Sequence, residues 1–98
     1  MREESLMDLA VRLDKGQAHL IDVRELEEFE GRHLAQATNL PLSQLEERFE
    51  ELDPEVEYDV ICQAGVRSAR ACSFLESKGY KVLNVLGGMA QVPDEWLS

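Results

Sequence analysis

Ninety-eight residues are enough for one domain and too few for two. Twenty acidic side chains against ten basic give a net charge of −10, which argues against nucleic acid as a partner, because a phosphate backbone demands a basic face. A hydrophobic fraction of 44% supports a globular core. No run approaches the ~20 apolar residues of a membrane span. The start, MREESLMDLAVRLDKG, is charged and amphipathic and lacks the apolar centre of a signal peptide. The expectation is a soluble cytoplasmic protein, residues 1–98 forming a single domain, without membrane association.

The elements follow in chain order. Leu6, Leu9, Ala10 and Leu13 share one face, so residues 4–14 read as a helix stopped by Gly16. HLIDVR (19–24) is short and apolar at its centre and predicts a strand. ELEEFEG (25–31) predicts a short helical turn. ATNLPL (37–42) predicts a strand running into a loop at Pro41. Ser43, with Glu46 three residues on, predicts a capped helix over 44–51, which Asp53 and Pro54 break. YDVIC (58–62) is the next strand, 66–78 a helix stopped by Gly79, and KVLNVL (81–86) another strand. Gly87 and Gly88 end it, and 89–97 predicts a last short helix interrupted by Pro93.

Strands alternate with helices throughout. Strands 58–62 and 81–86 flank one helix, which makes a βαβ unit and implies parallel pairing. Their nearly continuous apolar character suits a sheet covered on both faces. The fold expected is a three-layer α/β/α domain with a mostly parallel central sheet. Sites in such sheets sit at the carboxyl ends of strands, and Cys62 stands at such an end.

Two cysteines, Cys62 and Cys72, make neither a disulfide framework nor a zinc site, and His19 and His33 are isolated. A lone cysteine at a loop is either buried filler or a nucleophile. The neighbours favour the nucleophile. Gly65 permits the positive φ that a tight concave loop needs. A helix beginning just after it directs backbone amides inward, a nest that stabilises anions and lowers a thiol's pKa. Arg67 and Ser68 add a cation and a hydroxyl. From Cys62 to Lys81, Arg67, Arg70, Lys78 and Lys81 face Glu76 alone, a locally positive segment in an acidic chain.

CQAGVRS resembles the active-site loop of the rhodanese family, Cys-x-x-Gly-x-Arg-Ser/Thr. LIDVRELEEFEGRHLAQATNLPL resembles that family's Asp-Val-Arg-Glu segment and its His-Ile-x-Gly-Ala-x-Asn-Ile-Pro segment. YKVLNVLGGM resembles its closing strand and Gly-Gly-Met turn. The likeness spans about residues 5–92. It implies sulfur transfer through a persulfide on Cys62, from a small anionic donor such as thiosulfate to cyanide or a thiol. It implies that the amides of Gln63, Ala64, Gly65, Val66, Arg67 and Ser68 cradle the outer sulfur, with Arg67 orienting the loop or binding the donor. No metal and no organic cofactor is implied, because the nest supplies the electrostatic stabilisation. A sulfur-relay protein is a further partner under the alternative reading, a persulfide carrier with little activity on free thiosulfate. Cysteine phosphatases of the dual-specificity cell-cycle type share the fold, but their loop places five residues between Cys and Arg. Four stand here, and the smaller ring favours sulfur over a tetrahedral phosphate.

Asp22 and Arg24 match the family's Asp-x-Arg and are read as structural supports joined in a buried pair. His33 is read as structural, Cys72 as core filler, and Phe29, Phe49, Phe74 and Trp96 as packing. The chain departs from the family pattern at Arg32 and Gln36, where glycines are usual, and at Val92, near the usual Trp.

Overall fold

A computed structural model describes residues 1–97. Its centre is a sheet of five short strands: β1 (Glu3–Glu4), β2 (Leu20–Asp22), β3 (Thr38–Asn39), β4 (Glu57–Ile61) and β5 (Lys81–Val85). They lie in the order β1-β5-β4-β2-β3, and every adjacent pair is parallel. Four α-helices connect them: α1 (Leu6–Asp14), α2 (Leu26–Gly31), α3 (Leu45–Arg48) and α4 (Val66–Ser77).

The two-residue period of the strands splits the core in two. Ile21, Val23, Val60, Cys62 and Val82 pack with Leu45 of α3 and with Ala71, Cys72 and Leu75 of α4. Leu20, Ile61 and Val85 point the other way, to Leu9 of α1 and to Leu34, Met89 and Val92. The sheet is therefore covered on both faces, as the apolar runs at 58–62 and 81–86 require. The expected three layers are present, and the sheet is entirely rather than mostly parallel.

Several elements differ from the sequence expectation. Glu4, expected to start the helix, instead forms the edge strand β1 with Glu3, and α1 begins at Leu6 under a Ser5 cap whose Oγ accepts from Asp8 N at 3.1 Å. Two glutamates carry no apolar alternation, so nothing local marks them as a strand. Ser43 caps no helix. It lies inside a 3₁₀ turn (Leu42–Gln44), and its hydroxyl donates to Glu25 Oε1 at 2.6 Å. The segment expected as one helix at 44–51 is α3 flanked by that turn and a second one, Phe49–Glu51. The expected helix at 89–97 is two 3₁₀ turns, Gly88–Gln91 and Asp94–Trp96, because Pro93 withholds the amide that would join them.

Beneath the sheet, β1 brings a carboxylate inside. Glu4 and Asp59 are buried, and both accept from Arg12 Nη1 on α1, Glu4 at 2.9 Å. Each keeps one buried oxygen with no partner, Glu4 Oε1 and Asp59 Oδ2. Burial, with the adjoining Asp59 hydrogen bond and charge, pushes the Glu4 carboxyl up to about 8, and Arg12 only partly opposes this. A proton on Glu4 supplies the donor that those two oxygens lack.

Because the folded state holds that proton more tightly than the unfolded chain, the stabilisation is present below the ordinary carboxylate range. It is lost as pH rises through about 8. Unfolding free energy should fall by about 2–4 kcal/mol between mildly acidic and mildly alkaline solution. The Glu4→Gln variant, permanently neutral, should show a markedly shallower fall. Urea titrations of both proteins across that range check it; parallel slopes would refute the assignment.

Candidate active site

Cys62 follows the last residue of β4, and the chain then turns through residues 63–65 into α4. Gly65 makes the turn with φ of +91°, a left-handed value that glycine adopts without a Cβ penalty. This conformation aims the loop back over the cysteine. Gly65 N donates to Cys62 Sγ at 3.1 Å, and Ser68 Oγ lies 3.3 Å from the sulfur on its other side. The amides of Ala64 and Ser68 complete the set. Burial pushes the Cys62 thiol up. The Ser68 hydroxyl and the three amides outweigh it, so the net displacement is downward from the ordinary cysteine value.

The amides face inward because the carbonyls are held outward. Met89 N donates to Cys62 O at 2.8 Å, and Ala90 N to Gln63 O at 2.9 Å. In a trans peptide the C=O and the following N–H point opposite ways. Fixing the carbonyl of Gln63 against the Gly88–Gln91 turn therefore directs the Ala64 amide to the sulfur side. The two segments approach so closely that a Cβ on Gly88 would strike Cys62 O and stand 2.7 Å from Gln63 O. Gly88 also has φ of +60°. The glycine pair after β5 is thus a part of the cysteine loop supplied by a distant segment.

The residues of the resembling motif are distributed as follows. Gln63, Ala64 and Val66 are exposed, Gly65 and Arg67 half-buried, and Ser68 buried. Cys62 is 1% exposed, so the residue lies under its loop. Arg67 points to α2 instead of the sulfur. Its Nη1 and Nη2 donate to Glu28 Oε1 and Oε2 at 2.7 and 2.9 Å. That pairing draws the Glu28 carboxyl down to about 2. The positive segment seen in the sequence is therefore largely neutralised at the loop. Ser68 shares a short hydrogen bond with Asn84 of β5.

Asp22 and Arg24 form the buried pair, Nη2 to Oδ2 at 2.8 Å. Arg24 also donates to Glu28 O and Arg32 O and so fastens α2. Asp22 contacts Arg24 rather than the cysteine loop. His33 stacks on Phe29 with ring centroids 4.0 Å apart, and its Nδ1 lies 2.6 Å from Phe29 O. Cys72 is fully buried, and that burial pushes its thiol up to about 12. Among the described residues no cluster of His, Cys, Asp or Glu could hold a metal ion.

The departures have local explanations. Arg32 has an extended backbone (φ −168°) that any residue adopts. Its guanidinium reaches Met89 O at 3.1 Å and Val92 O at 2.6 Å, tying down the turn behind the cysteine. Gln36 needs no glycine, because no described non-glycine residue has positive φ. Val92 is buried in the α1-side core, and Trp96 packs against the same cluster. Glu28, Arg32 and Asn84 escaped the sequence reading as site residues. Asn84 alone carried a signal, an amide inside the apolar run of β5.

The two glycines of the site should differ in tolerance. Gly65→Ala meets only ordinary contacts, at 3.6 Å or more, and should cost about 1–2 kcal/mol for its φ. Gly88→Ala adds a backbone collision to the φ strain and should cost more, about 3 kcal/mol or above. Chemical denaturation of both variants checks the ranking; equal losses would mean that the two segments are not in contact.

Against known proteins, residues 5–95 match the family model described as Rhodanese-like domain. The putative sulfurtransferase YtwF of Bacillus subtilis is 42% identical over 71 residues, which are 72% of this chain and 69% of that protein. The putative sulfur carrier protein YrkF of the same organism is 36% identical over 89% of this chain and 48% of its own length. The thiosulfate sulfurtransferase PspE of Escherichia coli is 33% identical over 76% of this chain and 73% of its own. The crystal structure of a rhodanese-like domain protein from Staphylococcus aureus superposes with a TM-score of 0.93 at 28% identity, covering all of this chain and 97% of that one. With its fold, its cysteine loop and these relatives in agreement, the chain belongs to the Rhodanese-like domain family of sulfurtransferases.

Proposed function

We propose that the protein transfers sulfane sulfur through a persulfide on Cys62. The observation that carries this reading is the ring around Sγ: the Gly65 amide donating at 3.1 Å, Ser68 Oγ at 3.3 Å, and the amides of Ala64 and Ser68 beside them. The donor is thiosulfate or a similar small anion. The Cys62 thiolate attacks the sulfane sulfur, the donor's S–S bond breaks, and sulfite leaves with the electron pair. The outer sulfur of the persulfide carries the negative charge, and the loop amides, including those of Gln63, Val66 and Arg67, are the donors that stabilise it. A thiolate or cyanide then attacks that outer sulfur and the Cys62 thiolate departs, so no redox partner is needed. PspE, a thiosulfate sulfurtransferase by name, supports the choice of donor.

The reading takes residues 1–98 as one domain acting without metal or organic cofactor, in a reducing, cytoplasmic setting suited to the free thiols of Cys62 and Cys72. No described helix is long and apolar enough to cross a membrane. Arg67 serves the loop by clamping it to α2 through Glu28 rather than by meeting the donor.

That clamp favours a second reading, a persulfide carrier fed by a sulfur-relay protein. With Arg67 engaged and a net charge of −10, the chain offers a free anion little long-range attraction. YrkF, named a putative sulfur carrier, is a relative of that kind. Turnover with thiosulfate and cyanide separates the two, since a carrier would take up sulfur from a cysteine desulfurase and turn over the small pair negligibly.

Treatment with thiosulfate should add one sulfur, about 32 Da, to the intact mass. The gain should vanish in Cys62→Ser and persist in Cys72→Ser. A gain that survives Cys62→Ser would overturn the assignment of the nucleophile. Initial rates should rise with pH with a midpoint below the ~8.5 of an unperturbed thiol.

A further inference from the structure

A buried amide in the middle of a parallel strand needs partners for both of its ends. Asn84 on β5 is 3% exposed among Val82, Leu83 and Val85. It lies on the same face of the sheet as Val82, under α4. Its Nδ2 donates to Gly65 O at 3.3 Å, and its Oδ1 accepts from the Ser68 hydroxyl. The two contacts fix the amide's orientation. Reversed, Oδ1 would face the Gly65 carbonyl, acceptor against acceptor.

The consequence falls on a single proton. Ser68 Oγ has one hydrogen and two neighbours, Asn84 Oδ1 and Cys62 Sγ at 3.3 Å. While the hydrogen points to Oδ1, only lone pairs face the sulfur, and the partner they suit is the S–H of a neutral thiol. When Cys62 ionises, its proton leaves to solvent and the hydroxyl must turn to the thiolate. Asn84 Oδ1 is then left buried without a donor.

We propose that Asn84 is a positioning residue that sets the direction of the Ser68 hydroxyl and, through it, the readiness of Cys62 to ionise. Asn84 and Cys62 compete for one hydrogen bond, so Asn84 restrains the ionisation that the loop amides promote. The same Asn84 holds Gly65 O, and so anchors the residue whose amide donates to the sulfur. One residue therefore builds the nest and limits it. The inference rests on Cys62 as the reacting group, as proposed above.

Few other charges bear on Cys62. Arg67 on α4 is engaged by Glu28 of α2, and Cys72 lies further along α4. Asp22 and Arg24, at the end of the adjoining strand β2, pair with each other. The Gly88–Gln91 turn contributes only uncharged residues.

The test is a thiolate titration by ultraviolet absorbance in a Cys72→Ala background, where one thiol remains. Asn84→Ala frees the hydroxyl and should lower the Cys62 midpoint, giving roughly fivefold more thiolate at a fixed acidic pH. Ser68→Ala should raise the midpoint. Asn84→Ala placed on top of Ser68→Ala should then produce no further fall. An unmoved midpoint in Asn84→Ala, or the same shift with and without the Ser68 hydroxyl, would overturn the proposal. Should Asn84→Ala fail to fold, the nearly isosteric Asn84→Asp takes its place. Its carboxylate competes harder for the hydrogen, so the midpoint should rise, and rise less once Ser68 is alanine; an equal rise in both backgrounds refutes the idea. The titration needs no sulfur donor. Absence of the thiosulfate mass gain would thus defeat the proposed activity and leave this result standing on its own.

Discussion

The site depends on two hydrogen bonds that touch neither the sulfur nor any substrate. Ala90 N to Gln63 O holds the peptide plane that sends the Ala64 amide to Sγ, and Met89 N to Cys62 O anchors the peptide before it. An isolated loop of this sequence would have no reason to turn its donors inward, because unpaired amides do as well in water. The closing turn after β5 supplies the constraint, and Gly88 supplies the room for it. Parallel pairing of β4 with β5 makes this possible, since it brings the carboxyl ends of both strands to the same edge.

A second set of bonds keeps that edge rigid. Asp22 and Arg24 are buried together, and Arg24 reaches the carbonyl of Glu28 inside α2 and that of Arg32 just past its end. Glu28 in turn engages Arg67 in the first turn of α4. Arg32 continues the line to Met89 O. Removing one partner of the buried pair would leave a charge without compensation, at a typical cost of ~3–5 kcal/mol, and would loosen α2 as well.

How much of this the sequence disclosed depended on the range of the interaction. Strands β4 and β5 and helix α4 were legible because apolar runs and a glycine stop are local signals. The position of Cys62 at a strand end and the need for Gly65 followed from the same local logic. The β1 strand was not legible: its pairing comes from β5, with Glu3 opposite Asn84 and Glu4 opposite Val85, and its residues are both glutamates. The partner of Arg67 was hidden for a similar reason, since nothing in ELEEFEG says that Glu28 faces α4. Ser43 looked like a cap and became a donor to Glu25, because Pro41 and the 3₁₀ turn set the chain's direction before the helix begins. Asn84 was the missed opportunity, a polar residue at a strand position where only a specific partner makes it tolerable.

Charge at the loop has a physical lesson of its own. The sequence showed a positive segment and invited the idea of a cation waiting for an anion. In the fold Arg67 is engaged by Glu28, and the stabilisation of negative charge falls to neutral groups, three amides and a hydroxyl within a buried ring. Such dipoles act only at contact distance and inside low dielectric, where added salt does not screen them. An acidic chain can therefore hold an anionic sulfur without attracting anions in general. The ring closes on one atom, with Ser68 Oγ at 3.3 Å and Gly65 N at 3.1 Å from Sγ. Attracting an anion from a distance and stabilising a negative sulfur at contact are separate tasks, and the geometry of the loop addresses the second.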